Sequence, residues 1–307
     1  MHNKAVIKGH RIIKMNKKII LYPNIETDID FVKTRQVADI LAENGRQAVL
    51  CPISIDESPD FNINDITPPE GYKISSIENE LADAEMIITF GGDGTILRAA
   101  RAASETGVPI LGVNLGSKGF MTELEADDIG LLKTAAHGNY KIETRIMLDI
   151  NVERDGKTIY KDFILNDIAI KGDNKVIDLT ILGDNQKITH FHGDGVVIAT
   201  PTGSTAYSMS AGGPIVDPVA KNIIITPICA HMLEARSFVL ELGRIVSVEI
   251  GYKRYNPAHI SIDGGNPIHI QSGDIIKVYK SERTTQLVRL SDKSFYRKVS
   301  EKLGEKA

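Results

Sequence analysis

The first half of the chain alternates short apolar runs with segments of helical spacing. The apolar runs of strand length are Ile19–Tyr22, Ala48–Cys51, Met86–Phe90 and Pro109–Val113. Between them, apolar positions recur at helical intervals over about 30–44, 93–105 and 127–136, and Gly45 is well placed to end the first helix. Strand–helix alternation with short connections predicts a parallel sheet flanked by helices, a Rossmann-like α/β domain over residues 18–140.

The second half of the chain has a different pattern, in which strand-length segments are separated by Gly, Asp and Asn. Two hairpins are predicted, one over 147–171 with an Asp155-Gly156 turn and one over 176–192. Further strands are predicted at Val196–Ala199, Phe238–Leu242, Val246–Ile250, His259–Ile262 and Ile275–Tyr279. We therefore expect a β-rich domain over residues 141–280, interrupted by one helix that follows Thr205.

Three segments fall outside this plan. Residues 1–17 are basic without an apolar core and are predicted to be an N-terminal extension. The stretch 52–71 is polar and rich in Asp, Pro and Asn, which favours a surface excursion. Residues 281–307 form a tail with weak helical character, and we expect this tail to pack back on the α/β domain.

Composition narrows the class of protein. At roughly 150 residues per domain, 307 residues predict about two domains. No apolar run approaches the ~18 residues of a membrane span, so we expect no membrane partner. Two cysteines, Cys51 and Cys229, are too few for a disulfide framework or a four-thiolate zinc site, which fits a reducing cytoplasm.

The charge balance limits the ligands that the chain can take. A net charge of −4 with mixed signs argues against broad nucleic-acid binding, which needs a concentrated excess of Lys and Arg. A polyanionic ligand would therefore have to be held by backbone N–H groups, a few placed cations or a metal.

The most informative motif is Gly91-Gly92-Asp93-Gly94-Thr95, which follows an apolar strand and opens a helix. Glycines let phosphates approach the backbone, and a helix N-terminus offers unpaired N–H groups to an anion. The motif is neither a P-loop nor the G-x-G-x-x-G dinucleotide fingerprint. The alternative is a tight turn in which Asp93 only caps the helix, but three flanking glycines are more than capping requires.

This motif is similar to the signature of a kinase superfamily that includes NAD kinases, diacylglycerol and sphingosine kinases and, more distantly, phosphofructokinases. Three further stretches resemble NAD kinases of the bacterial type in particular, and all four occur in that family's order. They are Asn114–Glu123, Asn166-Asp167, and Asp194-Gly195 followed by Thr200–Tyr207. The resemblance spans about Ile19 to Leu303 and implies an NAD kinase/diacylglycerol kinase-like fold.

The resemblance implies transfer of the terminal phosphoryl group of ATP, or of polyphosphate in some relatives, to the 2′-hydroxyl of the adenosine ribose of NAD. Asp93 is then the catalytic proton acceptor, and Gly92, Gly94 and Thr95 line the phosphate path. Arg98, one helical turn later, either pairs with an anion or belongs to a solvated helix face. No protein metal site is expected, because the Mg²⁺ ion would be held mainly by the phosphates of ATP.

The nucleotide-binding residues implied by the resemblance lie in three of the motifs and beside them. An amide such as Asn166 both donates and accepts hydrogen bonds, which suits a purine edge, and the Asp167 carboxylate suits a pair of ribose hydroxyls. Asp167 stands where relatives typically have Glu, and His192 stands where many have Arg. The full set is Phe120, Asn166, Asp167, His192, Asp194, Thr205, Ala206, Tyr207 and Ser210.

Two other observations leave alternatives open. His190 and His192 share one face of a predicted strand, but two histidines are too few for a zinc site.

A lipid kinase is one alternative function, because it shares the glycine-rich motif, although such enzymes usually add a Gly-Thr-Gly-Asn-Asp-like segment that this chain lacks. A non-catalytic NAD- or NADP-sensing module is the second alternative. By resemblance, the chain is expected to form a homo-oligomer, a dimer or a tetramer.

Overall fold

The structure is a computed structural model that describes residues 18–54, 66–116, 119–173, 175–231, 236–251, 257–291 and 295–304. The predicted extension 1–17, part of the predicted excursion 52–71, and Ser117 and Lys118 lie outside these residues. The described helices are α1 (Val32–Glu43), α2 (Ile77–Glu80), α3 (Asp93–Ala102), α4 (Leu132–Ala136), α5 (Tyr207–Ser210) and α6 (Phe295–Leu303).

The strands of the described chain are β1 (Lys18–Pro23), β2 (Ala48–Leu50), β3 (Ala84–Gly91), β4 (Ile110–Asn114), β5 (Leu124–Glu125), β6 (Lys141–Arg154), β7 (Lys157–Ile164), β8 (Asp167–Gly172), β9 (Ile177–Gly183), β10 (Gln186–Gly193), β11 (Gly195–Ala199), β12 (Asn222–Ile228), β13 (Phe238–Glu241), β14 (Val246–Ile250), β15 (Ala258–Ile262), β16 (Ile268–Ile270) and β17 (Ile275–Arg289).

The first half of the chain folds as a parallel sheet with helices on both faces. Its strands pair in the order β4-β3-β1-β2, and every one of these pairings is parallel. Helices α1 and α4 bury one face, and α2 and α3 bury the other. Helix α1 ends before Gly45, whose φ of +69° is the left-handed conformation typical of a glycine after a helix.

The second half is a β-sandwich that shares one sheet with the first half. Among the described residues, the short strand β5 pairs in parallel with β4, and strands β6, β7, β9, β10, β14 and β17 extend this sheet to eleven strands. A second sheet, ordered β13-β12-β11-β8-β15-β16, is antiparallel throughout. The two sheets bury one common apolar core, which includes Leu148 and Val248 from the large sheet and Ile170 and Ile198 from the small one. The predicted fold class, α/β followed by a β-rich part, is confirmed.

Long strands join the two halves. The first part of β17 pairs with β14 and β6, and after an irregularity at 280–284 it continues along β6 and meets β4 in parallel at Leu287↔Ile110. Beyond β17, helix α6 contacts the loop that follows β4, through Lys298.

Several predicted elements need correction. The predicted strand over 157–171 is two strands, because the chain leaves the large sheet after β7 and enters the small sheet as β8. The predicted helix over 127–136 contains a single-turn 3-10 helix followed by the short α4. The strand predicted at 275–279 extends to Arg289, and β16 was not predicted. None of the helices in the described ranges is long and apolar enough to cross a membrane.

Candidate functional site

The Asp93 carboxylate, in the glycine-rich turn, is held in one orientation by the loop that follows β4. Asp93 is the first residue of α3, and its Oδ2 and Oδ1 accept hydrogen bonds from the backbone N–H groups of Phe120 (2.7 Å) and Met121 (3.0 Å). A Cβ at Gly119 would lie 2.3 Å from Oδ1, so this position has no room for a larger residue. An ionised carboxylate has about four acceptor sites, and two of them therefore remain available to a ligand.

The loop 119–123 that holds Asp93 is itself fixed by cations from the C-terminal segment. Lys298 donates to the backbone carbonyl oxygens of Thr122 (2.6 Å) and Phe120 (3.4 Å), and Arg289 donates to that of Met121 (2.9 Å). Burial lowers the pKa of Lys298 to about 8, and the positive charge of Arg289 acts in the same direction. The Nζ atom of Lys302 lies 4.0 Å from the centre of the Phe120 ring.

A second turn, between β7 and β8, presents Asn166. The Asp263 carboxylate accepts hydrogen bonds from the backbone N–H groups of Leu165 (2.9 Å), Asn166 (2.8 Å) and Asp167 (3.1 Å). The Asn166 carbonyl oxygen accepts from Thr200 N–H at 2.9 Å. The backbone of this turn is thus saturated, which explains why the predicted strand over 157–171 breaks here.

The Asn166 side chain, in contrast, is unsatisfied. Asn166 is 9% exposed, and its Oδ1 has no hydrogen-bond partner among the described residues. A buried polar atom without a partner is unfavourable by roughly 1–3 kcal/mol, so it marks a position where a ligand donor would be bound.

Asp167 is buried directly behind this turn. Burial raises its pKa to about 7, and the negative charge of Asp263 adds to that effect, while a hydrogen bond from the backbone N–H of Tyr207 opposes it. Burial also raises the pKa of Asp263, against the effect of its three backbone donors. The negative charge of Asp263 therefore disfavours ionisation of Asp167.

These elements meet at a cavity of about 550 Å³. Five of the residues predicted from sequence lie in its wall, namely Asp93, Phe120, Asn166, Thr205 and Ala206. The other lining residues are Met121, Thr202, Met209, Glu301, Lys302 and Leu303. The cavity thus lies between the turn after β3, the turn after β7, the segment 202–209 and helix α6.

The remaining predicted residues lie outside that wall. The side chain of Thr95 is fully buried beneath the turn. Its Oγ1 would be 2.2 Å from a Cβ at Gly91, so Thr95 supports the turn from within. Gly92 and Gly94 belong to the turn itself, and Arg98 is half-buried on α3.

The other four residues lie on the antiparallel side of the cavity. His192 and Asp194 lie at the junction of β10 and β11, and both are exposed. Tyr207 lies at the start of α5 and has the Nζ of Lys171 5.7 Å from its ring centre. Ser210 ends α5 and is exposed.

Sequence reasoning missed three groups that position the site: Asp263, Arg289 and Lys298. Each acts on a segment about 100 or more positions away in the chain, so local periodicity carries no trace of the contact. The Asp263-Gly264 pair was the only local signal, because it is a turn motif; Asp263 has a positive φ of 47°.

Known proteins of solved structure share the fold. Yeast NADH kinase, solved in complex with NADH, superposes with a TM-score of 0.77 at 25% identity and covers 95% of this chain and 89% of that one. An NAD kinase from Archaeoglobus fulgidus, solved in complex with ATP, superposes with a TM-score of 0.69 at 24% identity. The match covers 93% of this chain and 98% of that one and shows a likeness of fold. The fold and the cavity together define the class, a two-part kinase with a glycine-rich turn.

The sequence comparisons narrow this class. Sequence models of the ATP-NAD kinase N-terminal and C-terminal domains match residues 33–140 and 165–290. The NAD kinase of Natranaerobius thermophilus is 39% identical over 292 residues, 94% of this chain and 98% of that protein. The NAD kinase of Ruminiclostridium cellulolyticum is 35% identical over 297 residues, which are 94% of this chain and 99% of that protein. The chain belongs to the ATP-NAD kinase family.

Proposed function

We propose that this chain transfers the terminal phosphoryl group of ATP to the 2′-hydroxyl of the adenosine ribose of NAD, giving NADP and ADP. The bond between the 2′-oxygen and the γ-phosphorus forms as the bond from that phosphorus to the β,γ-bridging oxygen breaks. The observation that carries the proposal is the pairing, in one cavity, of a fixed carboxylate with the unsatisfied Asn166 Oδ1.

Asp93 is proposed to orient the 2′-hydroxyl and to take its proton late. A free aspartate, with a reference pKa near ~3.9, is a weak base toward a sugar hydroxyl. Phosphoryl transfer passes through a loose transition state, so early removal of the proton matters little and positioning matters more. The two backbone donors on Asp93 supply that positioning without using all of its acceptor sites.

The polar wall opposite Asp93 is proposed to hold NAD. The Asn166 side chain can accept from the exocyclic amine of adenine and donate to a ring nitrogen. Thr205 and Ala206 line the cavity beside it, and Asp167 fixes the start of α5 through the N–H of Tyr207. Asp194, at the junction of β10 and β11, is proposed to contact the nicotinamide half of the dinucleotide, and His192 beside it to lie near the phosphates.

The lining is compatible with the divalent metal that accompanies ATP. Mg²⁺ prefers hard oxygen ligands and is usually bound through one or two carboxylates plus substrate phosphates. Asp93 offers such an oxygen in the cavity wall. When bound, the metal would neutralise phosphate charge, while Lys298 keeps loop 119–123 against Asp93.

The decisive experiment incubates the purified chain with Mg-ATP and NAD and measures NADP. NADP formation is expected. A lipid kinase would instead phosphorylate diacylglycerol, and a sensor would bind NAD without turnover; either result would refute the proposal. The comparisons give neither alternative any support. Replacing ATP by polyphosphate in the same assay defines the donor.

We further propose a cytoplasmic homo-oligomer, a dimer or a tetramer. Strand β13 is an edge of the small sheet and exposes Val239, which supports an interface there. Light scattering of the purified chain tests this state, and a monomeric mass at micromolar concentration would contradict it.

A further inference from the structure

A second cluster of ligand-type side chains lies on the β9–β10 hairpin, outside the cavity wall. The antiparallel register sets His192 opposite Asp178 and His190 opposite Thr180. Because alternate residues of a strand point to the same face, these four side chains share one face of the hairpin. The opposite face, with residues such as Phe191, packs into the core.

The spacing within the cluster suits a single metal ion. Nε2 of His190 lies 3.2 Å and Nδ1 of His192 lies 3.7 Å from Oδ1 of Asp178. The three ligand atoms all lie within 4.8 Å of one another. Two donors that are each about 2.0–2.1 Å from a tetrahedral zinc ion are about 3.3 Å apart. Small side-chain rotations would therefore complete a three-ligand set.

The Asp178 carboxylate is buried and faces the two imidazoles, which can pair with it only as ions when they are protonated. It is 9% exposed, and its Oδ1 accepts no hydrogen bond from the described residues. Burying a carboxylate in this way is unfavourable unless a cation or a donor reaches it. Gly251 keeps the space around this group open, because a Cβ there would lie 2.7 Å from Oδ2 of Asp178.

Thr180 supplies the outer partner that a metal-binding histidine needs. Its Oγ1 lies 3.2 Å from Nδ1 of His190. When Thr180 accepts the Nδ1–H hydrogen bond, Nε2 of His190 carries a lone pair that faces Oδ1 of Asp178. An outer hydrogen bond of this kind is typical of histidine ligands, because it fixes the orientation of the ring.

We propose that Asp178, His190 and His192 bind a divalent first-row transition metal, Zn²⁺ foremost, with at least one coordination position open. Two imidazoles and one carboxylate are a ligand set that zinc accepts and that Mg²⁺ does not favour. The side chains of His190 and His192 are 36% and 54% exposed, so water or an anionic oxygen can reach the ion.

The test measures metal binding by the full chain without an affinity tag, after removal of bound metal with a chelator. Equilibrium dialysis against Zn²⁺ and the visible absorption of Co²⁺ are expected to give one ion per chain at this site. Asp178→Asn and His190→Gln should each weaken binding at least ~10-fold, and Thr180→Val should weaken it roughly 10-fold through the outer hydrogen bond.

Two matched controls locate the ion. His259→Gln removes a histidine that pairs with Asp173 at 2.6 Å, a pair that no third ligand joins among the described residues, and should leave affinity unchanged. Cys229→Ser removes a thiol that is hydrogen-bonded to Asp194 near the same hairpin and should also leave the metal affinity unchanged. Circular dichroism in the presence of chelator establishes whether each variant is folded. If Asp178→Asn is unfolded, the metal affinity of Thr180→Val tests the proposal in its place.

Three outcomes would overturn the proposal. The first is an absence of stoichiometric Zn²⁺ or Co²⁺ binding. The second is binding that Asp178→Asn and His190→Gln leave unchanged, or that Cys229→Ser abolishes. The third is displacement of Co²⁺ by excess Mg²⁺, which would assign the ion to the oxygen ligands of the cavity. None of these readouts depends on kinase activity.

Discussion

Two turns in this molecule use the same device for different purposes. At the first, Asp93 binds two backbone N–H groups of loop 119–123, and at the second, Asp263 binds three N–H groups of the turn at Asn166. Asp93 lines the cavity, whereas Asp263 does not. Access, and not hydrogen-bond geometry, therefore separates a carboxylate that can meet substrate from one that only holds another residue in place.

The largest effect is expected at Asp93. Asp93→Asn should lower the turnover of NAD at least ~10²-fold while NAD binding is retained, because the amide cannot take the proton. Initial rates of NADP formation and NAD titration measure the two quantities. Asp39→Asn, at an exposed position on α1, should leave both unchanged. An unchanged turnover in Asp93→Asn would remove this residue from the chemistry.

Gly119→Ala probes the positioning of the same carboxylate. The new Cβ would lie 2.3 Å from Oδ1 of Asp93 and must displace it, so kcat should fall roughly 10-fold with little change in the KM for NAD. Gly116→Ala is the matched control, since a Cβ there meets nothing within 4 Å. Equal losses in the two variants would mean that general disturbance of the loop, and not the Asp93 contact, limits the rate.

Asp263→Asn should affect binding more than chemistry. The amide turns a donor toward buried N–H groups, which destabilises the Asn166 turn by about 1–3 kcal/mol and should raise the KM for NAD roughly fivefold. Asp274→Asn is the control: Asp274 is a fully buried carboxylate bound by Arg154, so its loss should lower stability without raising KM. A fall in kcat as large as that of Asp93→Asn would break the distinction drawn between the two turns.

Asp167 predicts a pH dependence of stability. Its pKa is about 7 in the folded chain against a reference value of 3.8, so the folded state keeps the proton up to a higher pH than the unfolded state does. The free energy of unfolding should therefore fall as pH rises from about 4 through 7.

Asp167→Asn should remove this loss of stability at high pH, because the amide has no charge to bury. At pH 8 the variant is expected to be more stable than the wild type by on the order of 1–4 kcal/mol, and near pH 4 the difference should vanish. Urea unfolding at both pH values measures the change. A variant that is destabilised at pH 8 would show that the charged form of Asp167 is favoured in the fold.

The smallest effect is expected at Lys302. Its contact with the Phe120 ring is worth about 0.5–1 kcal/mol, so Lys302→Met should raise the KM for ATP roughly twofold to fivefold. Lys161→Met, on an exposed position of β7, is the control. An increase above about 10-fold would require a direct contact of Lys302 with the phosphates, beyond a ring contact.

Sequence predicted the local part of this arrangement well. The parallel strands, the end of α1 at Gly45 and the hairpins at Asp155-Gly156 and 183–185 all follow from short-range patterns. In each case the determining residues lie within a few positions of one another, as a glycine that permits positive φ or an apolar run does.

The part that escaped prediction depends on partners distant in sequence. The break at Asn166 depends on Asp263, the fixed loop after β4 depends on Arg289 and Lys298, and the third ligand of the histidine pair comes from the cross-strand register at Asp178. Periodicity cannot encode such pairings, because it records only which face of an element is buried.

Strand β17 sets a limit on how the chain can be divided. It pairs with β14 at one end and meets β4 at the other, and β6 follows it along most of its length. A fragment ending at residue 140 would leave the first part of β4 without its β17 neighbour, and one beginning at 165 would lose β6 and β7 altogether. Protein engineers who want a portable catalytic half should therefore graft β6 and β17 with it, or circularly permute the chain at a surface turn such as Asp155-Gly156.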